Sequence, residues 1–373
     1  MDAQAPTVTA PIVIFAFTRP DYLKRLCLSL KAQQGVTIPD NQVHLVQDGS
    51  RSPRSGLVYG DPALLEASVE AFREVFPEGH VHAAPHNLGI AMNLHRGEKL
   101  VFDTLKAEVG YFFEEDLELG PCYVAMLEKI RAAVGSNPKL GYFAAYGNHR
   151  VDADPDRPGF IPLEHHWGFG LTRRCWRAMQ PWLEPFHQVY KEVDYQGRPH
   201  LRIAELYQEK EVANMASSQD VAKTMAAADL GFARINTDVC YARYIGAKGE
   251  SFRAESFEKH GYDRMTFATS LPAKFTPPSK ELIERIAADK RAQCVAFRRN
   301  SYATELEAMR RRLYNPDVMV TKEQVDDLWR LLMDRVPDNA EYYERNVGKR
   351  TIRQLRTSLL RSKEAQAKSF FMK

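Results

Sequence analysis

The sequence predicts an α/β domain built on a mostly parallel sheet, followed by an all-helical extension. Three observations predict it. Short apolar, β-branched runs alternate with amphipathic helical stretches through the first two thirds, the pattern of βαβ units. Polar residues cluster where three of those runs end: Thr18-Arg19, Gln47-Asp48 and Glu114-Glu115-Asp116. After Pro277-Pro278 the pattern turns to nearly continuous helix, so the boundary is placed there, giving domains 1–277 and 278–373.

Pro11–Phe17 is a buried parallel strand by its composition, broken by Thr18-Arg19-Pro20-Asp21, and Tyr22–Gln33 is the helix that follows. Val43–Gln47 is a second strand, ending in the turn Asp48-Gly49-Ser50. Pro62–Phe76 is a helix, His80–Ala83 a short strand, Asn93–Ala107 a helix and Gly110–Phe113 a strand. Pro121–Val134 is a helix and Leu140–Tyr146 a strand. The polar, Pro-bearing stretch His149–Glu164 is a loop. The block His165–Leu171 leads into a helix at Arg173–Met179. Further helices are expected at Arg202–Glu211 and Gln219–Ala228, with a late strand at Ala233–Cys240 and a loop over Tyr241–Tyr262.

The chain has 373 residues, 44% of them hydrophobic, and a net charge of +3. That is ample for a large core, and the near balance gives no nucleic-acid footprint. Five scattered cysteines (Cys27, Cys122, Cys175, Cys240, Cys294) form no CxxC pair, which argues against a zinc site or a disulfide framework. No stretch is long and apolar enough for a transmembrane helix, and Met1–Ala10 lacks a signal-peptide pattern. The expectation is a cytoplasmic protein, at most peripheral to the inner membrane face through its basic C-terminus.

Three consecutive acids close the apolar run Tyr111-Phe112-Phe113. Carboxylates cost several kcal/mol each to desolvate unless something positive pairs with them. Hard oxygen ligands suit Mg²⁺ or Mn²⁺, ions that commonly bridge carboxylates to phosphates. The carboxyl ends of parallel strands are also where open α/β sheets bind ligands.

Four stretches in order then give the chain a resemblance: Ile12–Pro20, Val46–Ser50, Phe113–Pro121, and Gly168–Thr172 followed by Gln219-Asp220. Over residues 11–265 the chain resembles nucleotide-sugar-dependent glycosyltransferases of the GT-A fold, in particular the N-acetylglucosaminyltransferase I type and family 2-like bacterial enzymes. The resemblance implies a Rossmann-like catalytic domain of the hexosyl- or N-acetylhexosaminyltransferase class. It also implies a UDP-sugar donor, a glycan or lipid-linked acceptor, and Mn²⁺ or Mg²⁺. Asp116 is then the metal ligand. Glu114 and Glu115 support it or contact the ribose, and which carboxylate touches the ion stays open. Phe17, Arg19, Asp48 and Arg96 are donor contacts, with His95 a weaker one. Trp167 would stack on a sugar, its flanking glycines letting backbone approach the ligand, and Lys248 in a late Gly-rich loop would meet phosphate, with Ser251 or His260 near the metal.

Inverting transfer needs a base for the acceptor hydroxyl. Asp220, at a helix start, is the candidate, with Ser217 or Ser218 left to cap the helix; Glu164, Glu192 and Asp194 stand in reserve. Two other readings compete: a sugar nucleotidyltransferase, disfavoured by Thr18-Arg19-Pro20-Asp21 in place of a Gly- and Lys-bearing loop, and a degenerate scaffold or carbohydrate-binding protein. In the extension, Thr321–Asp338 through Leu359–Glu364 resembles a small helical module of unsettled function from bacterial surface and glycosylation proteins. Thr321 and Gln324 fit a capping box, and the Lys and Arg excess after Arg345 suits an anionic lipid headgroup or polymer.

Overall fold

A computed structural model describes residues 5–247, 254–297, 303–314 and 317–367. In chain order the first half runs β1 (Ile12–Ala16), α1 (Pro20–Lys31), β2 (Val43–Gln47), α2 (Pro62–Val75), β3 (His80–Ala83), α3 (Ile90–Lys99), β4 (Val109–Glu114), β5 (Leu117–Leu119), α4 (Tyr123–Val134) and β6 (Leu140–Ala144). It continues with β7 (Phe160–Pro162), β8 (Gly168–Thr172), α5 (Arg173–Glu192), α6 (His200–Glu209), α7 (Gln219–Asp229), β9 (Ala233–Thr237), β10 (Ala242–Tyr244) and α8 (Ala254–Lys259). The extension holds α9 (Lys280–Phe297), α10 (Ala303–Tyr314), α11 (Lys322–Met333), α12 (Ala340–Asn346), α13 (Ile352–Leu360) and α14 (Lys363–Ala367).

Eight strands form one sheet in the order β3-β2-β1-β4-β8-β6-β9-β7, and β10 pairs with β5 beside it. The pairs β1–β2, β1–β4, β2–β3 and β6–β9 are parallel, whereas β8 runs antiparallel between β4 and β6. Strands β1, β2, β6, β8 and β9 are buried along their whole length, as sheets covered on both faces require. The expected mixed α/β architecture with a mostly parallel central sheet and a helical C-terminal region is therefore present.

Several expectations need correction. The block before Arg173 is itself strand β8, and its glycines serve packing. A Cβ on Gly170 would lie 2.3 Å from the Phe143 ring, and one on Gly168 2.6 Å from Leu117. Helix α5 runs on to Glu192 through Pro181 and Pro185. Proline removes a helical hydrogen bond, but this helix buries Trp176, Met179, Trp182, Leu183, Phe186 and Tyr190 along one face. The late loop contains β10 and α8. Cores also cross the boundary at 277/278: Ile283, Ile286, Ala287, Cys294 and Leu306 join the core of the α/β domain. A second core begins at Val320 and takes in Val325, Trp329, Met333, Ile352, Leu355 and Leu359.

Thr321 and Gln324 do form a capping box on α11, and Thr351 and Gln354 form another on α13. All five cysteines are free thiols. Among the described residues, no helix is long and apolar enough to cross a membrane.

Candidate functional site

The reversed direction of β8 builds the site. Phe113 pairs with Gly168, so the residues just before β8 stand level with those just after β4. The Glu114 amide donates to the Trp167 carbonyl at 2.8 Å. His166 and Trp167 thus stand directly beside the acids, and α7 brings Asp220 close enough to act on the Glu114 carboxylate.

Glu115 and Asp116 are nearly buried, their side chains 4% and 8% exposed, and Arg19 spans them. Its Nε donates to Glu115 Oε1 at 2.7 Å and its Nη1 to Asp116 Oδ2 at 3.1 Å. The Phe17 amide adds a bond to Glu115 Oε2 at 3.0 Å. Arg19 therefore sits on the acids, not apart from them awaiting a diphosphate, and Phe17 enters the site through its backbone. Burial pushes Glu115 up to about 7 against the pull of Arg19. Asp116 is also raised by burial, with Arg19 and the Tyr244 hydroxyl opposing.

Two acceptors are left over. Asp116 Oδ1 is buried with no hydrogen-bond partner. The half-buried Glu114 carboxylate makes no hydrogen bond among the described residues; burial, then Asp116 and Asp220, hold its pKa well above the usual range. Among the described residues no group of three His, Cys, Asp or Glu side chains gathers closely enough to hold a metal ion. An ion held by one or two carboxylates, with ligand phosphates and water completing its shell, needs no such group. Asp116 and Glu114 fit that smaller role.

Ser218 caps α7, accepting from the Val221 amide at 3.4 Å, so Asp220 is not spent on the cap. Its side chain is 46% exposed, and Oδ1 lies 3.5 Å from Nδ1 of His166, which is 4% exposed. Arg234, also buried, approaches Nε2 of the same ring at 3.1 Å. Arginine can only donate, so Nε2 accepts and the proton of neutral His166 sits on Nδ1, 3.5 Å from Asp220 Oδ1 but not hydrogen-bonded to it; that oxygen accepts from the Gln219 side-chain amide. Burial, then Arg234, lowers His166 to about 4. Burial pushes Asp220 upward, but His166, Lys223 and Arg234 outweigh it and hold it below its ordinary range. Asp220 is an ionised carboxylate near neutral pH, half exposed, with Oδ1 held by the Gln219 side chain.

The other expected contacts have the following surroundings. Asp48 accepts from the amides of Gly49, Leu88 and Gly89 at 2.8, 2.8 and 3.0 Å and from Asn87 Nδ2 at 3.2 Å. It fixes the 86–89 loop, leaving no spare lone pair for a base or ribose. Arg96 donates to the carbonyls of Gln47 and His82 at 2.9 and 3.0 Å, tying β2 to β3. His95 packs against His187 with the rings tilted by 40° and 4.2 Å between centroids. Trp167 is stacked between His165 and Tyr244, at 4.3 and 4.5 Å, so its faces are taken by protein. Asp194 is held by Ser52, Ser55 and Tyr59. Lys248 and Ser251 lie outside the described residues, and His260 stacks on Tyr262.

Sequence reasoning missed His166, Arg234, Tyr195 and Tyr244. Tyr195 accepts from the Gln219 amide at 3.0 Å, steadying the start of α7. A Cβ on Gly246 would come within 2.9 Å of Asp116 Oδ2, so this late glycine is what lets the loop lie against the acids. The pair of histidines before Trp167 was the one available signal.

No protein-family model and no curated protein matches the chain. Among solved structures, the crystal structure of S. aureus TarS shares 10% identity over 94% of this chain and 55% of TarS, with a TM-score of 0.38. S. aureus TarS 1-349 shares 12% over 98% of this chain and 93% of that one, again at 0.38. The chain thus spans about half the length of the first of these. Likeness this distant decides nothing about what the site does.

Proposed function

We propose that the protein is a metal-dependent glycosyltransferase of the GT-A type, moving a sugar from a nucleoside diphosphate donor, UDP-sugars first, to a glycan or lipid-linked acceptor. One observation carries the reading: a half-exposed Asp220 lies within electrostatic reach of Glu114, whose carboxylate, like Asp116 Oδ1, has no hydrogen-bond partner among the described residues, at the carboxyl end of β4. The mostly parallel sheet and the motif order of the resemblance support it.

In this reading Asp220 takes the proton of the acceptor hydroxyl. The hydroxyl oxygen bonds to the anomeric carbon as the bond to the diphosphate breaks, its electron pair leaving with the phosphate. A divalent ion at Asp116, with Glu114 in support, would offset the charge on that leaving group. His166 stands beside Asp220, and Arg234 keeps the His166 proton on the side facing it. Arg19 offsets part of the charge of Glu115 and Asp116 beforehand; Glu115 anchors the 17–19 turn through the Phe17 amide.

That clasp favours one second reading. A guanidinium already balancing the acids suits a GT-A scaffold or carbohydrate-binding protein without catalysis. Thermal-shift measurements with nucleotides and nucleotide sugars, in Mn²⁺ and in EDTA, separate the two. Stabilisation by UDP or a UDP-sugar that needs metal and disappears in Asp116→Ala is expected of the transferase; failure of every nucleotide to stabilise the folded protein selects the scaffold.

A further inference from the structure

The second core leaves one face of α13 uncommitted. Ile352, Leu355 and Leu359 point into that core, and the opposite side carries Arg350, Arg353, Gln354, Thr357, Ser358 and Arg361 at helical spacing. With Lys349 these residues line a shallow groove of about 840 Å³. Arg353 pairs with Asp317 at 2.9 Å, both exposed, a pairing worth little in water. Among the described residues Lys349, Arg350 and Arg361 have no carboxylate partner.

A second observation distinguishes this face from an ordinary solvated one. The segment before α11 runs antiparallel to the start of α13: Met319 pairs with Thr351, Ile352 donates to the Val318 carbonyl, and Val320 donates to the Arg350 carbonyl. Val320 is buried, but Met319 is 55% exposed and Val318 36%. Two apolar side chains therefore stand open to solvent on a segment tied by backbone pairing to the start of the helix that carries the cationic stripe.

We propose that this face docks the protein on an anionic phospholipid surface. Lys349, Arg350, Arg353 and Arg361 meet lipid phosphates, Ser358 supplies a hydroxyl among them, and Met319 with Val318 enters the headgroup boundary. A soluble polyanion accounts for the cations and leaves the apolar pair unexplained; a bilayer edge accounts for both. The cations act within a Debye length, so the attachment weakens as salt rises. Nothing in this proposal depends on the chemistry of the Asp220 site.

The test is co-sedimentation of the full chain with vesicles of phosphatidylcholine alone and of phosphatidylcholine with phosphatidylglycerol. The wild type is expected to pellet with the anionic vesicles only. Arg350→Gln and Arg361→Gln should each weaken that binding by about fivefold, and Met319→Asp should weaken it as well. These side chains are exposed, and circular dichroism confirms that each variant is folded. Equal pelleting with neutral vesicles, or binding unaffected by the two arginine changes, overturns the proposal. So does tight binding of soluble polyphosphate combined with an unaffected Met319→Asp, which would assign the face to a polyanion.

Discussion

Lys223→Met tests how the site is held from behind. Lys223 Nζ donates to Glu98 Oε1 at 2.6 Å, with side chains only 6% and 3% exposed. The bond links α7 to α3 one turn below Asp220. Removing the lysine leaves a buried carboxylate uncompensated, a loss of about 3–5 kcal/mol. Total stability for a domain is about 5–15 kcal/mol, so the single change should lower the urea midpoint sharply without changing the slope. Pairing it with Glu98→Leu removes the stranded charge and should recover most of the loss, giving a large coupling energy in a double-mutant cycle. The variant also acts on Asp220, because Lys223 is one of the groups holding that carboxylate down. A base must be ionised, so activity falls as pH drops through its pKa; a higher Asp220 pKa moves that limb to higher pH. A single-variant cost below about 1 kcal/mol, the range of an exposed pair, refutes the reasoning.

Other consequences follow from single contacts. His166→Phe keeps the ring volume but removes the Nδ1 proton beside Asp220, so the acid limb of the pH–rate profile should move up while nucleotide binding holds; an unmoved limb would leave His166 a packing residue. His44 is buried and lowered from 6.5 to about 4 by burial and by His82 and His80. The unfolded chain therefore binds the extra proton first, and stability falls as pH drops from 6.5 towards 4, by about 3 kcal/mol at most. His44→Phe should unfold at lower pH than wild type, and an unchanged acid midpoint contradicts the assignment. Thr351→Ala loses the α13 cap and should cost about 1 kcal/mol, read as faster hydrogen exchange in α13 with the α/β amides unaffected.

Much of the frame was legible because it is local. Ile12–Ala16 and Val43–Gln47 are apolar runs of the right length, and both are buried strands. Pro62 starts α2 as expected, and the structure adds an Asp61 cap. What escaped was decided by tertiary contact. Strand β8 contains two glycines, poor strand formers, which are there because Phe143 and Leu117 leave no room for a Cβ. Helix α5 passes two prolines because a buried aromatic face outweighs the lost bonds. Asp220 and Asp116 were singled out by the resemblance and by their places at a helix start and a strand end. The pair beside Asp220 was not, since Arg234 lies 68 positions from His166 and only the pairing of β6 with β9 and β8 brings them together. Nothing local reveals the bonds that Asp48 makes to the 87–89 segment or that Arg96 makes to the carbonyls of Gln47 and His82.

The most direct test of the account is Asp220→Asn assayed twice, for sugar transfer from the donor that binds and for the affinity of that donor with metal. The side chain keeps its shape and loses its basicity. The account predicts a fall in transfer of roughly 10²-fold or more with donor affinity unchanged. Transfer at the wild-type rate would place the base elsewhere and contradict the reading of the site.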